Sequence, residues 1–276
     1  MRTAVLLTCF NRKEKTLNCL SSLKGLGDKR LEVFLVDDGS SDGTAEAVKR
    51  GFPDVNIING NGNLFWSRGM LKAWESACQG DYDYYLWIND DVELLADGLV
   101  ELFECSRTMN NRAVISGLIE DKITGKIIYG GYDNRKKLLG ATGGLQDITY
   151  LNGNVVLIPK IIPENIGLID AKFHHDLGDV EYGLRAIKNG YKVVSTRRAI
   201  AYGYSNAICR ERKNGVSVSK RFKILYSPLG SNPYINYYFR NKYQSSINAS
   251  LYFLFQHFLN LIPDRLNKFL FSNKYV

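Results

Sequence analysis

Along the N-terminal third of the chain, apolar positions switch between two spacings. Thr3 to Thr8 is a continuous apolar run, suited to a strand buried on both faces. Lys13 to Leu26 follows, with Leu17, Leu20 and Leu23 at helical spacing. Leu31 to Val36 predicts a second buried strand, Gly43 to Arg50 a helix, and Val55 to Ile58 a short strand. Ser67 to Cys78 predicts a helix with Met70, Leu71, Trp74 and Ala77 on one face, and Tyr84 to Ile88 a fourth strand. Strands alternating with helices imply a parallel sheet with right-handed crossovers. Ligands in such sheets bind at the carboxyl ends of the strands, so the loops that follow each strand carry the chemistry.

Beyond Asp91 the rhythm changes. Leu95 to Cys105 predicts a helix, and Val114 to Leu118, Lys126 to Tyr132 and Tyr150 to Ile158 predict shorter strands with Gly-rich turns between them. Leu177 to Asn189 predicts a helix stopped by Gly190, and Tyr191 to Ser195 a further strand. The chain divides into a body over 1–207, with halves over 1–95 and 96–207, and an extension over 208–276. Lys220 to Lys223, Tyr234 to Tyr243 and Leu251 to Phe271 predict amphipathic helices in that extension.

Charge separates these two parts. The formal net charge is +8, from 36 Lys and Arg against 28 Asp and Glu. From Ile208 onward there are 11 basic residues and two acids, Glu211 and Asp264, so the extension carries +9 and the body −1. The extension also holds 14 of the 33 aromatic residues. A nucleic-acid reader carries basic residues on its folded face, and the near-neutral body argues against that partner. Basic, aromatic helices suit an anionic membrane surface, and a helical cap or homodimer contact is the other use of the pattern. No targeting segment is visible, and Leu251 to Ile262 is too short and too polar to span a bilayer. The five cysteines, Cys9, Cys19, Cys78, Cys105 and Cys209, lack C-x-x-C spacing and read as reduced thiols of a cytoplasmic protein, held peripherally on the inner face of the plasma membrane if the extension binds it.

Four loops carry candidate chemistry. After the second strand comes Val36-Asp37-Asp38-Gly39-Ser40-Ser41-Asp42-Gly43-Thr44, where Asp37 and Asp38 can bind a base or ribose and Ser41 or Asp42 can cap the next helix. After the fourth comes Asn89-Asp90-Asp91, a second acid pair on the same sheet edge, suited to a hard divalent cation. Gly60 to Gly69 is a glycine-rich loop entering a helix, with Arg68 in the first turn, where its charge opposes the dipole unless it meets an anion. In Phe173 to Arg185, Glu181 and Arg185 form an i,i+4 pair, while Asp179 near the helix start is placed to act as a base. A metal cluster at His174-His175-Asp176 lacks a third close ligand, and His257 reads as structural. No G-x-G-x-x-G follows the first strand, which argues against a dehydrogenase.

Taken in order, T-C-F-N-R (Thr8 to Arg12), V-D-D-G-S-S-D-G-T, the loop ending at Arg68, N-D-D (Asn89 to Asp91), L-N-G-N-V-V-L-I-P (Leu151 to Pro159) and G-D-V-E-Y-G-L-R resemble the inverting family 2 glycosyltransferases, most of all rhamnosyltransferase-like members that build bacterial surface polysaccharides. The resemblance implies an α/β, GT-A-type Rossmann-like mixed sheet, parallel in its N-terminal half, flanked by helices and followed by the helical extension. It implies that Thr8, Asn11, Asp37, Asp38, Arg68 and Asp90 bind a nucleoside-diphosphate-sugar donor, that Asp91 binds Mn2+ or Mg2+, and that Asp179 is the general base. Asn152, Gly153, Asn154, His175 and Asp176 fall in the acceptor or donor-sugar vicinity. Two positions depart from the family pattern. Gly178 precedes Asp179 where the family often has Glu, and no histidine appears near Tyr202 to Asn206 as a third metal ligand. The implied reaction moves a hexosyl group to a glycan or polyprenyl-linked acceptor with inversion. A non-catalytic nucleotide-sugar-binding protein is the alternative.

Overall fold

In the computed structural model, residues 1–205 and 210–272 are described. Cys209, Lys274 and the expected boundary after residue 207 lie outside them. The first compact unit is Met1–Ala171 with Gly178–Ser205. The second joins Lys172–Leu177 to the described part of Asn206–Val276.

The first unit runs β1 (Thr3–Cys9), α1 (Lys13–Gly25), β2 (Leu31–Asp37), α2 (Thr44–Gly51), β3 (Asn56–Asn59), α3 (Phe65–Ala77), β4 (Tyr84–Ile88), β5 (Glu93–Leu94), α4 (Gly98–Thr108), β6 (Ala113–Asp121), β7 (Ile127–Tyr129), β8 (Val155–Pro159), α5 (Ile161–Ile166), α6 (Gly178–Lys188) and β9 (Lys192–Gly203). The sheet order is β3-β2-β1-β4-β8-β6-β9-β5, with β7 added to β6. β1, β2, β3 and β4 are mutually parallel, β8 lies antiparallel between β4 and β6, and β6 and β9 are parallel. The mixed GT-A sheet with a parallel N-terminal half is therefore present.

Strand alternation splits the apolar residues onto two faces. Val5, Leu7, Leu35, Leu86 and Ile88 pack with Leu20 and Leu23 of α1, Val48 of α2 and Leu102 of α4. Leu6, Phe34, Val36 and Trp87 pack on the other face with Met70 and Trp74 of α3 and Tyr182 of α6. Trp74, Trp87 and Tyr182 are fully buried and meet edge-on or tilted at ring separations of 5.2–5.4 Å. This triad seats α6 against the sheet.

Several boundaries differ from the sequence pattern. Tyr150 to Asn154 is extended loop, and regular pairing starts only at Val155. β9 runs on past the expected end at Ser195, through Arg197 and Arg198. It continues because Glu101 of α4, 2% exposed, accepts from Arg197 N, Nε and Nη2 at 3.0, 3.0 and 2.7 Å. Leu94, expected as the approach to a helix, pairs with Ala201 instead.

The second unit holds α7 (Val218–Leu225), α8 (Pro233–Tyr243), α9 (Ser246–Leu261) and α10 (Asp264–Phe271). Leu251 to Phe271 falls in two helices divided at Pro263, which has no N–H to continue α9. Buried Arg212 and Arg221 converge on Asp264 and on the carbonyl of Ile262. Lys172–Leu177 packs here rather than with the body, as Phe173 stacks on Tyr238 and Phe239 and Asp176 pairs with Arg210. His257 has the structural place expected of it, against the Tyr226 hydroxyl at 2.6 Å. Cys9, Cys19, Cys78 and Cys105 are free thiols.

Hydrogen bonds from Arg197 hold the Glu101 carboxyl down at about 2, against an ordinary value of 4.5. A carboxyl depressed in the fold contributes stability above its unfolded pKa and loses it as pH falls, here between about 4.5 and 2. Glu101→Gln is expected to cost about 1–3 kcal/mol at neutral pH and to remove that part of the acid sensitivity. Denaturant unfolding of both proteins at pH 6 and pH 3 measures it.

Candidate active site

The carboxyl ends of β1, β2 and β4 share one edge of the sheet because the three strands are parallel. β8 runs the other way, so its amino end, Val155 opposite Ile88, arrives at that same edge. Four loops thus converge: the segments after Cys9, after Asp37 and after Ile88, and the Asn152-Gly153-Asn154 turn before Val155.

Asp38 is 3% exposed, and its carboxylate is wrapped by the glycine-rich loop. Oδ1 accepts from Asn61 N and Gly62 N at 3.2 and 2.9 Å, and Oδ2 from Leu64 N and Phe65 N at 2.8 and 3.0 Å. A carboxylate has about four acceptor sites, so these bonds use them all. Asp38 therefore shapes the loop, where sequence alone suggested a direct ligand to the donor. The loop is held tightly enough to keep Phe65 at φ 56, a left-handed backbone that side chains disfavour. Asp37 is also buried and accepts from Ser40 N at 2.8 Å.

Asn11 ties the first loop to the second. Its side-chain oxygen accepts from Ser41 N at 2.7 Å, and its N–H donates to Ser40 Oγ at 2.9 Å. Asp42 accepts from Lys13 N and Thr44 N, the first residues of α1 and α2. The formal cap of α2 is Gly43, with Asp42 acting one residue earlier. Thr8 lies under α3 at Gly69, where an added Cβ would come within 2.3 Å of Thr8 Oγ1. Only glycine lets helix and strand approach this closely. Arg68 donates from Nε to the Ala171 carbonyl at 3.0 Å.

The second acid pair is charged and mostly buried. Arg12 Nη1 lies 3.0 Å from both Asp90 Oδ1 and Asp91 Oδ2, and Lys15 Nζ lies 3.7 Å from Asp91. Burial pushes the Asp90 carboxyl up to about 6 while the Arg12 guanidinium opposes the rise. Asp90 Oδ2 is buried with no hydrogen-bond partner. An orphaned carboxylate oxygen beside a second carboxylate fits a hard cation whose other positions are filled by diphosphate oxygens and water. Among the described residues no group of three or more His, Cys, Asp or Glu is placed to hold a metal.

A hydrogen-bonded arc leads from this acid pair to Asp179. Asn89 N donates to the Asn154 carbonyl at 2.9 Å, and the Asn89 amide nitrogen bonds the Asn154 side-chain oxygen. Asn154 Nδ2 donates to Asn152 Oδ1 at 2.6 Å. Gly153 N then donates to Asp179 Oδ2 at 2.8 Å, while Asp179 Oδ1 accepts from Val180 N at 2.8 Å. Trp66 closes the inner side by donating from Nε1 to Asn89 Oδ1 at 2.7 Å. Behind Asp179, Glu181 is fully buried and paired with Arg185 at 2.9 Å, as the spacing predicted.

The structure thus gathers Thr8, Asn11, Asp37, Asp38, Asp90, Asp91, Asn152, Gly153, Asn154 and Asp179 along one edge. His175 and Asp176 lie in the second unit. Sequence reasoning placed Arg12, Trp66 and Asn89 in its motifs without giving them a role, and missed Lys15. Two adjacent buried acids demand nearby cations, and the basic residues just after the first strand were the available signal.

Residues 4–132 match the family model described as glycosyl transferase family 2. Poly-beta-1,6-N-acetyl-D-glucosamine synthase from Staphylococcus epidermidis is 26% identical over 183 residues, which cover 60% of this chain and 41% of that protein. The chain thus spans less than half the length of the curated relatives it matches. A mannosyltransferase from Pyrobaculum calidifontis, solved with GDP-Man and Mn2+, superposes with a TM-score of 0.58 at 13% identity, covering 91% of this chain and 69% of that one. Staphylococcus aureus TarS 1–349 in complex with UDP-GlcNAc superposes at 0.56 with 15% identity, covering 99% and 76%. Residues 4–132 are thus similar to glycosyl transferase family 2, and the unit that contains them has the GT-A fold.

Proposed function

We propose that this protein is an inverting hexosyltransferase, taking the sugar from a UDP- or dTDP-sugar and placing it on a hydroxyl of a glycan or polyprenyl-linked acceptor. A deoxyhexose such as rhamnose is the sugar that the sequence resemblance suggests. The observation that carries the reading is the arc joining Asp90 to Asp179 through Asn89, Asn154 and Gly153. It holds an acid pair suited to a diphosphate's cation and a carboxylate suited to a base on one rigid frame. The family match and the nucleotide-sugar complexes of similar folds support it.

In this reading Thr8, Asn11, Asp37 and Arg68 line the donor pocket, and Asp38 acts through the loop it shapes. Asp90 and Asp91 would hold Mn2+ or Mg2+, which when bound offsets charge on the departing diphosphate. Asp179 takes the proton of the acceptor hydroxyl as its oxygen bonds the anomeric carbon. The bond from that carbon to the diphosphate breaks, and its electron pair leaves with the nucleotide. One displacement inverts the centre. The N–H groups of Gly153 and Val180 aim the Asp179 carboxylate. Asn152 and Asn154 position this turn beside the transferred sugar.

Asp179→Asn is expected to lower turnover by about 10²–10⁴-fold while calorimetric donor binding holds. Wild-type turnover in that variant would rule out the base. Excess chelator is expected to abolish transfer, with recovery on adding Mn2+; full activity under chelation would take the cation out of the reaction. At Gly153 an added Cβ would sit 2.5 Å from the Trp66 ring and 3.0 Å from Asp179 Cβ. Gly153→Ala is therefore expected to depress kcat more than KM, which steady-state kinetics separates from a general loss of folded protein.

A further inference from the structure

The second unit is built inside out along α9. Its inward side is Ala249, Gln256, Leu259 and Asn260, all fully buried. The amide nitrogens of the two polar members donate inside the unit, Gln256 Nε2 to the Ser231 carbonyl at 2.7 Å and Asn260 Nδ2 to the Glu211 carbonyl at 2.9 Å. The outward side carries the large apolar residues: Ile247 at 74% exposure, Leu251 at 63%, Leu254 at 63%, Phe258 at 47% and Leu261 at 59%. Their spacing of four, three, four and three residues keeps them in one narrow stripe at 3.6 residues per turn. After the break at Pro263 the pattern resumes in α10, where Asn267 is buried and Phe269 is 83% exposed. Polar residues inside and a continuous apolar stripe outside invert the usual surface helix.

Charge decides what covers the stripe. The sixteen residues of α9 include no Asp, Glu, Lys or Arg. Arg265 and Lys268 stand exposed beside the apolar residues of α10, and Lys213, Lys220, Lys223 and Lys242 are exposed elsewhere in the unit. Its acid in α10, Asp264, is already engaged by Arg212 and Arg221. A second copy would bring the same cations together, whereas an anionic bilayer neutralises them. No helix among the described residues is long and apolar enough to cross a membrane, and α9 at about 24 Å suits lying flat.

We infer that the outward face of α9 and α10 docks on the interface of an anionic lipid bilayer, with the apolar stripe among the acyl chains and the Arg and Lys side chains at the headgroups. The inference goes beyond the sugar-transfer reading and rests on this unit alone. The test is flotation of the full chain with vesicles of phosphatidylcholine, alone and mixed with phosphatidylglycerol. The wild type is expected to float with the mixed vesicles and to lose binding as salt rises. The double variant Leu251→Ser/Leu254→Ser, which changes only exposed positions, is expected to bind about tenfold more weakly or worse. Arg265→Gln/Lys268→Gln is expected to lose the preference for the anionic mixture. Failure of the wild type to float, or flotation of the serine variant at wild-type level, overturns the inference. So does a wild-type dimer, seen by light scattering, that the serine variant loses. Calorimetric donor binding by the serine variant is expected to match the wild type, so its loss would report on the sugar-transfer reading and not on this face.

Discussion

The site depends on one reversal of direction in the sheet. Had β8 joined β4 as another parallel strand, its leading turn would sit at the far edge, away from the acids. Because it runs antiparallel, Asn152-Gly153-Asn154 meets Asn89 directly, and the main-chain bond from Asn89 N to the Asn154 carbonyl extends the ladder one step past the last paired residues. Asp179 is then fixed by a backbone N–H of that turn. A carboxylate aimed by main-chain donors loses little orientation to side-chain motion, and proton transfer requires that kind of placement.

Electrostatics adds a second layer to this frame. The acids do not behave as one set. Asp38 spends its charge on four backbone N–H groups and becomes part of the scaffold. Asp90 keeps one buried oxygen without a partner, and burial lifts its pKa, so it is the acid held in the least comfortable state. Such groups tend to mark functional positions. Arg12 and Lys15 supply the compensating positive charge from the start of α1, so β1 contributes the floor of the site through Thr8 and α1 the cations that balance its wall.

Much of this was legible in the sequence. Periodicity gave the four parallel strands and the helices between them within a residue or two, because each is an unbroken apolar run or an amphipathic repeat. The two Asp-Asp pairs were recognisable because both follow strands of one parallel sheet. What escaped was the destination of individual side chains. That the Asp38 carboxylate is wrapped by a loop depends on where residues 60–65 fold back, which no local pattern encodes. The extra length of β9 depends on Glu101, nearly a hundred residues earlier, neutralising Arg197. Lys172–Leu177 was assigned to the body by proximity in the chain, while Phe173 is held by aromatic rings of α8.

The sheet order also bears on how this unit comes into being. β5 lies early in the chain yet occupies the outer edge beside β9, and β8 is inserted at the centre between β4 and β6. The segments before and after residue 95 are therefore laced through each other and are not separable modules. A growing chain can form β1 to β4 early. Its central gap closes only when β8 arrives, and its outer edge only when β9 does. Folding that must wait for such distant pairings is slow and leaves strand edges open meanwhile. Asn89 and Asp179 spend that interval without the turn that ties them together, so the ordered edge of the sheet is among the last features the unit acquires.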